Sequence, residues 1–454
     1  MRYYILGLAK SGIAACYWAL ANGHEVYAAD NKEESSFAEE VISDLKAKGV
    51  SFAFGADPDI DKIKPDRIIV TPAIPYDRPY LVKAREQGID TTNEIQLGFE
   101  TCKAPIIGVT GSNGKTTTTS LIGHILKGMN PKTFVGGNIG NPFAKESLTI
   151  EETTPVVLEL SSFQLESVDD FVPAIGVLLN YSPDHLDRHH SYENYCNAKW
   201  RITEHMTPLE NLIVNYDDTI VRKKTMELLA RGRGPVITFF TTHHLAANVV
   251  AGTKWIWLDK NQDIIYEEMK IMNVSDFHLP GKHNVENLMA AIAAAITYGV
   301  PNDVIVNQVK SFKPVEHRLE TVKTLEGVTY VNDSKATNID AAIKALDSFT
   351  APIVLIAGGH GKGAPYDDLA KKIKAKCRAV VLIGEEKDKI GAALDEAGFD
   401  SYIKIDSFEE AVKKCKELAH SGDVVLLAPA CSSFDMFTCF EQRGEIFKNL
   451  VKGL

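Results

Sequence analysis

The sequence predicts an α/β protein of three successive units, each a largely parallel sheet with helices on both faces. Three observations carry that expectation. The chain has 454 residues, room for about three domains of about 150 residues each. Short apolar runs alternate with helix-length segments, the pattern of strands buried on both faces. Glycine-rich turns follow apolar runs at residues 7–12, 108–114 and 358–363, where strand-to-helix turns hold ligands.

The first unit, residues 1–93, has apolar runs at 3–8, 25–29 and 67–70. Its opening turn, Gly7-Leu8-Ala9-Lys10-Ser11-Gly12, lacks the middle glycine of G-x-G-x-x-G, because Ala9 stands there. Asp30 ends the second run, where a carboxylate can hydrogen-bond a ribose hydroxyl. The second unit, residues 94–300, has runs at 106–110, 156–160, 175–179 and 212–214. A hairpin is expected over 252–266, flanking the polar stretch 259–263. The Ala-rich segment 284–298 reads as a buried helix. The third unit, residues 301–454, has runs at 330–332, 353–357, 379–383 and 424–428.

Composition narrows the function. Hydrophobic residues make up 45% and charged residues 24%, as in a globular protein. Net charge is 49 − 60 = −11, which excludes nucleic-acid binding by bulk charge but leaves room for a local basic pocket. The seven cysteines form no C-x-x-C pair, so they are expected to be free thiols in a reducing compartment. The longest mostly apolar run, 288–300, falls short of the ~20 residues a bilayer span needs. The N-terminus shows no signal-peptide pattern. A cytoplasmic protein without membrane insertion is expected.

The strongest chemical signal is Gly111-Ser112-Asn113-Gly114-Lys115-Thr116-Thr117, after a strand and opening a helix. Glycines let backbone N–H groups converge on phosphate oxygens, and the helix N-terminus adds positive potential. Lys115 can reach the transferring phosphate and the Thr116 hydroxyl can hold Mg²⁺. Glu159 lies inside the run 156–160. A buried carboxylate there is costly unless paired, so it either shares that Mg²⁺ or serves as a cap or ion-pair partner. After the next run come Asp184, His185, His189 and His190, whose spacing is not that of a metalloprotease helix. Lys199 alone reads as a solvated helix lysine.

Together these motifs resemble the bacterial cell-wall Mur ligases. The match comprises the phosphate loop, Glu159-Leu160-Ser161-Ser162-Phe163-Gln164, Asp184-His185-Leu186-Asp187 and Leu279-Pro280-Gly281-Lys282-His283-Asn284-Val285-Glu286-Asn287. Three more motifs look like the D-glutamate-adding branch: Glu316-His317-Arg318-Leu319-Glu320, Asn332-Asp333-Ser334-Lys335-Ala336-Thr337-Asn338 and Pro429-Ala430-Cys431-Ser432-Ser433-Phe434-Asp435 with Phe440-Glu441-Gln442-Arg443-Gly444. The Asp-Asn-Pro-Arg motif of siblings that add diaminopimelate or lysine is absent.

The resemblance implies a Rossmann-like first domain for a UDP-linked precursor, a central P-loop-type ATP-binding domain, and a Rossmann-like last domain for the amino acid. The implied partners are UDP-N-acetylmuramoyl-L-alanine and D-glutamate, joined through an acyl phosphate; nothing in the sequence demands an oligomer, so a monomer is expected. ATP and two Mg²⁺ are the implied cofactors, the second Mg²⁺ held by His185 and a carbamylated Lys199. Asn284, Asn287, Arg318 and Asp333 map near the adenosine. Lys335, Thr337, Lys362, Ser433, Phe434 and Phe440 map around phosphates and D-glutamate. Lys10, Ser11, Asp30, Asn31 and Lys32 map near UDP, and Asn138 near the sugar and peptide. Ala73 stands where relatives often carry glycine. A nicotinamide dehydrogenase is the rival suggested by the first turn, and a non-catalytic nucleotide-binding regulator is another.

Overall fold

The computed structural model describes residues 1–244, 250–313 and 316–454. Three sheets follow one another along the chain. The first contains β1 (Arg2–Leu6), β2 (Glu25–Asp30), β3 (Ser51–Phe54), β4 (Arg67–Val70) and β5 (Asp90–Thr92). Its order is β3-β2-β1-β4-β5, parallel throughout, which is the order of a six-stranded dinucleotide-binding sheet without its last strand.

The central sheet contains β6 (Ile106–Thr110), β7 (Phe134–Gly137), β8 (Val156–Glu159), β9 (Ile175–Leu178), β10 (Asn211–Asn215), β11 (Val236–Thr241), β12 (Lys254–Leu258), β13 (Asp263–Tyr266) and β14 (Met269–Asn273). The order is β14-β13-β12-β11-β10-β9-β6-β8-β7. The expected hairpin is present as β12 and β13, and it continues the main sheet because β12 pairs in parallel with β11. Val109 lies opposite both Glu159 and Val177, so the turns after β6, β8 and β9 emerge side by side.

The last sheet contains β15 (Glu320–Leu325), β16 (Val328–Asn332), β17 (Ile353–Gly358), β18 (Cys377–Ile383), β19 (Tyr402–Lys404) and β20 (Val424–Leu427). Its order is β15-β16-β20-β17-β18-β19, with only β15 antiparallel to its neighbour.

Apolar burial explains the layering. The expected buried helix spans Lys282–Tyr298, and its residues from Leu288 to Ala295 are fully buried. Small alanines let it lie close to the helix Lys115–Lys127, whose Leu121, Ile122 and Ile125 share its core. Ile305 and Val309 of the helix Asn302–Ser311 join that same core. At the first junction, Asn93 caps the helix Glu94–Thr101 and its amide donates to Gln164 O at 2.6 Å and Ser167 Oγ at 2.7 Å. That ties the end of the first sheet to the central one. No helix among the described residues is long and apolar enough to cross a membrane.

The close helix packing makes a prediction. Ala293→Leu places three extra carbons where none fit and is expected to lower unfolding stability by about 1–3 kcal/mol. A urea midpoint equal to that of the parent would contradict this packing.

Candidate active site

A cavity of about 770 Å³ opens where the carboxyl ends of strands from all three sheets meet. Lys10 and Ser11 border it from the turn after β1. Ser112, Asn113, Gly114, Lys115 and Thr116 border it from the turn after β6. Asn138, Glu159 and His185 follow strands of the same sheet. Arg318, Lys335, Thr337, Lys362 and Phe440 reach it from the last unit.

The phosphate loop is built by side chains that imitate backbone. Asn180, just beyond β9, accepts the Asn113 N–H at 2.9 Å and donates to Asn113 O at 3.0 Å. Gly114 has φ +87°, and a Cβ there would lie 2.1 Å from Asn287 Oδ1, so only glycine fits. Lys115 folds back and donates to Gly111 O and Ser112 O, both at 2.8 Å. Burial lowers its pKa, opposed by Glu159. Thr117 sits behind the loop, its hydroxyl without a partner among the described residues.

Glu159 is buried at the end of β8. Its Oε2 accepts the Thr116 hydroxyl at 2.6 Å and its Oε1 accepts the Asn138 amide at 2.8 Å. Burial pushes its carboxyl up, but Lys335, Lys115 and these two hydrogen bonds outweigh it and hold the group below its ordinary value. Lys335, from the last unit, is in turn lowered by burial and supported by Glu159.

Asp184 joins the central and last units. Its Oδ1 accepts Lys362 Nζ at 3.1 Å and its Oδ2 accepts Asn338 Nδ2 at 2.9 Å. Burial raises its pKa, yet Lys362, His185 and Asn338 bring it down to about 2. Asn113 of the loop also donates to Asp340. Beside this latch, burial drives His185 down to about 3, leaving a neutral imidazole. Lys199 is buried, and burial together with repulsion from Lys115 lowers its pKa well below the usual lysine range. Its ammonium stands 4.8 Å from the Tyr195 ring centre, and no carboxylate pairs with it among the described residues.

The expected adenosine residues are partly gathered. Asn287, Arg318 and Asp333 line a narrower crevice beside Asn113 and Gly114. Burial raises the Asp333 carboxyl to about 6 against the pull of Arg318. Asn284 braces Asn287, accepting its amide at 3.2 Å. Other expected residues stand outside the cavity. Asp30 is engaged by the N–H groups of Leu8 at 2.7 Å and Lys32 at 3.0 Å, and Asn31 and Lys32 face solvent. Ser433 is buried, and Phe434 is 72% exposed.

Several residues on the cavity escape sequence reasoning, among them Glu94, Gln164, Asn338 and His317. Gln164 and Asn338 lie inside quoted motifs, so their position was readable and their contacts were not. Glu94 follows an N-cap asparagine, where an acid is ordinary. Glu316, His317 and Glu445 bring possible ligand atoms within 4.8 Å of one another, but Lys448 already pairs with both carboxylates.

A phosphate loop, a buried ionised carboxylate and lysines from a separate unit, all on one cavity, define a nucleotide-driven ligase. Residues 109–295 match the Mur ligase middle domain, and residues 317–431 match the Mur ligase, glutamate ligase domain. A protein of Caldicellulosiruptor bescii named UDP-N-acetylmuramoylalanine--D-glutamate ligase is 40% identical across 99% of this chain and 97% of its own length. One of the same name from Clostridioides difficile is 40% identical across 99% and 98%. The solved UDP-N-acetylmuramate-alanine ligase of Thermotoga maritima shares the fold, with TM-score 0.59, 21% identity, and 100% and 99% of the two chains covered. So does a MurF ligase of Thermotoga maritima in complex with ADP, with TM-score 0.56, 17% identity, and 94% and 95% covered. The chain belongs to the Mur ligase family. It is an ATP-dependent ligase that forms amide bonds in peptidoglycan precursor synthesis.

The Asp184 latch yields a prediction. Its depressed pKa means the pair contributes fully above the ordinary aspartate value and is lost only as pH falls through about 2. Lys362→Met leaves a buried carboxylate without its cation at neutral pH, a change that costs about 3–5 kcal/mol when such pairs stay buried. The interface should then open, seen as a larger radius of gyration in scattering at pH 7. An unchanged radius would show that the pair does not hold the units together.

Proposed function

We propose that this chain joins D-glutamate to UDP-N-acetylmuramoyl-L-alanine at the expense of ATP. The observation that carries the reading is the single cavity shared by the phosphate loop, Glu159 and the last unit's Lys335, Thr337 and Lys362. The names of the similar proteins support the choice of amino acid. In this reading residues 1–93 bind the UDP-linked precursor, 94–300 bind ATP, and 301–454 bring D-glutamate. The helix Asn302–Ser311 would move with the central core it packs into. The reaction belongs in the cytoplasm of a growing cell, with its precursors, and we take the enzyme to act as a monomer.

The alanyl carboxylate of the precursor attacks the γ-phosphorus, and ADP leaves. The amine of D-glutamate attacks the resulting acyl phosphate, an amide forms, and phosphate leaves. Both steps gather negative oxygens, so the site must supply cations rather than a covalent nucleophile. Lys115 and Lys335 supply two fixed positive charges. Arg318 and Asp333 would hold the adenosine, with Asn287 and Asn284 behind. Lys362 and Thr337 offer a charge and a hydroxyl to a dicarboxylic amino acid.

The residues present fit Mg²⁺. Thr116 and Glu159 place a hydroxyl and an ionised carboxylate side by side at the loop, the oxygen donors this ion prefers. The second site needs His185 neutral, which burial ensures. It also needs Lys199 converted, because an ammonium has no lone pair to give. Burial lowers the pKa of that amine, which favours the neutral form that takes up CO₂ to become a carbamate. Mg²⁺ bound there would neutralise phosphate oxygens as charge develops.

Two experiments test the proposal. Phosphate release from ATP with UDP-N-acetylmuramoyl-L-alanine should require D-glutamate and fail with L-glutamate, lysine or diaminopimelate. Release with another of these would move the chain to a different branch, and no release would remove the substrate assignment. Lys199→Ala should lose at least about 100-fold in kcat, as removal of a transition-state charge contact does. Added acetate or formate should restore part of it, and full activity without them would refute the carbamate.

A further inference from the structure

Glu94 is a buried carboxylate on the cavity that none of the steps above uses. It is 2% exposed and opens the helix Glu94–Thr101 at the junction of the first and central units. Its Oε2 accepts the Ala144 N–H at 3.1 Å, at the start of the short helix Phe143–Ser147. Its Oε1 has a long, 3.5 Å contact with the Gln164 amide, and the Phe143 N–H also bears on the carboxylate. Gln164 is otherwise committed: its own oxygen accepts both the N–H and the hydroxyl of Ser161 at 3.0 Å.

Charges on the packed elements point elsewhere. Lys145 lies 4.6 Å from the Tyr17 ring centre, Glu146 accepts from Asn141, and Glu166 pairs with Arg188. Glu100, on its own helix, pairs with Arg67. Lys10 borders the cavity from the first unit without bonding Glu94. A buried carboxylate that pairs with no cation among the described residues, held by backbone N–H groups and one long amide contact and bordering a cavity, is placed to meet a ligand.

We infer that Glu94 binds the precursor, its Oε1 accepting a hydrogen bond from an amide N–H or sugar hydroxyl of the muramoyl-peptide end. The inference rests on the function proposed above. The neighbours support the assignment of that end: Asn138, Pro142 and Gln164 line the same cavity, with Gln164 3.5 Å from Glu94 and Pro142 two residues before the Ala144 that Glu94 holds. Burial holds the Glu94 carboxyl up at about 7, so its accepting form is gained across the working pH range.

Steady-state kinetics of the whole enzyme test this. Glu94→Gln keeps one oxygen for Ala144 and turns an NH₂ toward the ligand. It should raise KM for the UDP-linked precursor by about tenfold or more, the size of a hydrogen bond to a charged acceptor. KM for ATP and for D-glutamate should move less than about twofold, because only one contact to one substrate is lost. In the parent enzyme, kcat/KM for the precursor should rise as pH increases through about 7, and Glu94→Gln should flatten that step. An unchanged precursor KM, or equal changes for all three substrates with a lowered unfolding midpoint, would make Glu94 a structural residue only. Should the variant fail to fold, a parent profile without the step overturns the inference by itself. Failure of the parent to turn over any precursor would instead count against the proposed function.

Discussion

A single carboxylate that must stay charged away from water organises this molecule. Glu159 closes a buried strand, and an isolated carboxylate there would cost several kcal/mol or take up a proton. It does neither, because Lys115 approaches from its own sheet and Lys335 from another. The central unit alone supplies only one of these cations. Docking of the last unit completes the charge balance, so the electrostatics of the phosphate site and the arrangement of the units are one problem.

The contacts between units follow the same logic. Asp184 draws Lys362 and Asn338 across the cleft, and Asn113 of the phosphate loop reaches Asp340 on the far side. On the other side Arg188 donates to Pro72 O at 3.3 Å and Ile74 O at 3.1 Å of the first unit while stacking over Phe163. The bonds to the last unit are polar and few and that unit keeps its own apolar cores, whereas Leu97 and Ala144 of the central unit pack into the core of the first. An interface of the polar kind suits a unit that separates and meets its partner again during turnover.

The interior of each sheet was legible in the sequence, and its margins were not. The central strands β1, β6, β8, β9, β17 and β20 are buried on both faces, so each stands out as an apolar run. The strands without such a signal, β3, β5, β7, β14, β15 and β19, are the six sheet edges. Edge strands are short and half wetted, and their sequence is written partly by water. β11 is interior yet interrupted by Thr238, which hid it. At the site, the loop, Glu159 and the last unit's lysines were readable because their chemistry is unusual for their location. Asn180 and Glu94 were not, since an asparagine after a strand or an acid at a helix start is ordinary until a partner from a distant segment meets it, and of Asn338 the position was readable but not the bond to Asp184. Asp30 likewise has a contact the sequence did not show, accepting the Leu8 N–H of the turn on its own sheet.

Lys115 carries a final consequence. Its ammonium donates to Gly111 O and Ser112 O, so the loop's own backbone holds this positive charge beside the turn. Any anion that draws on this lysine competes with two hydrogen bonds already made.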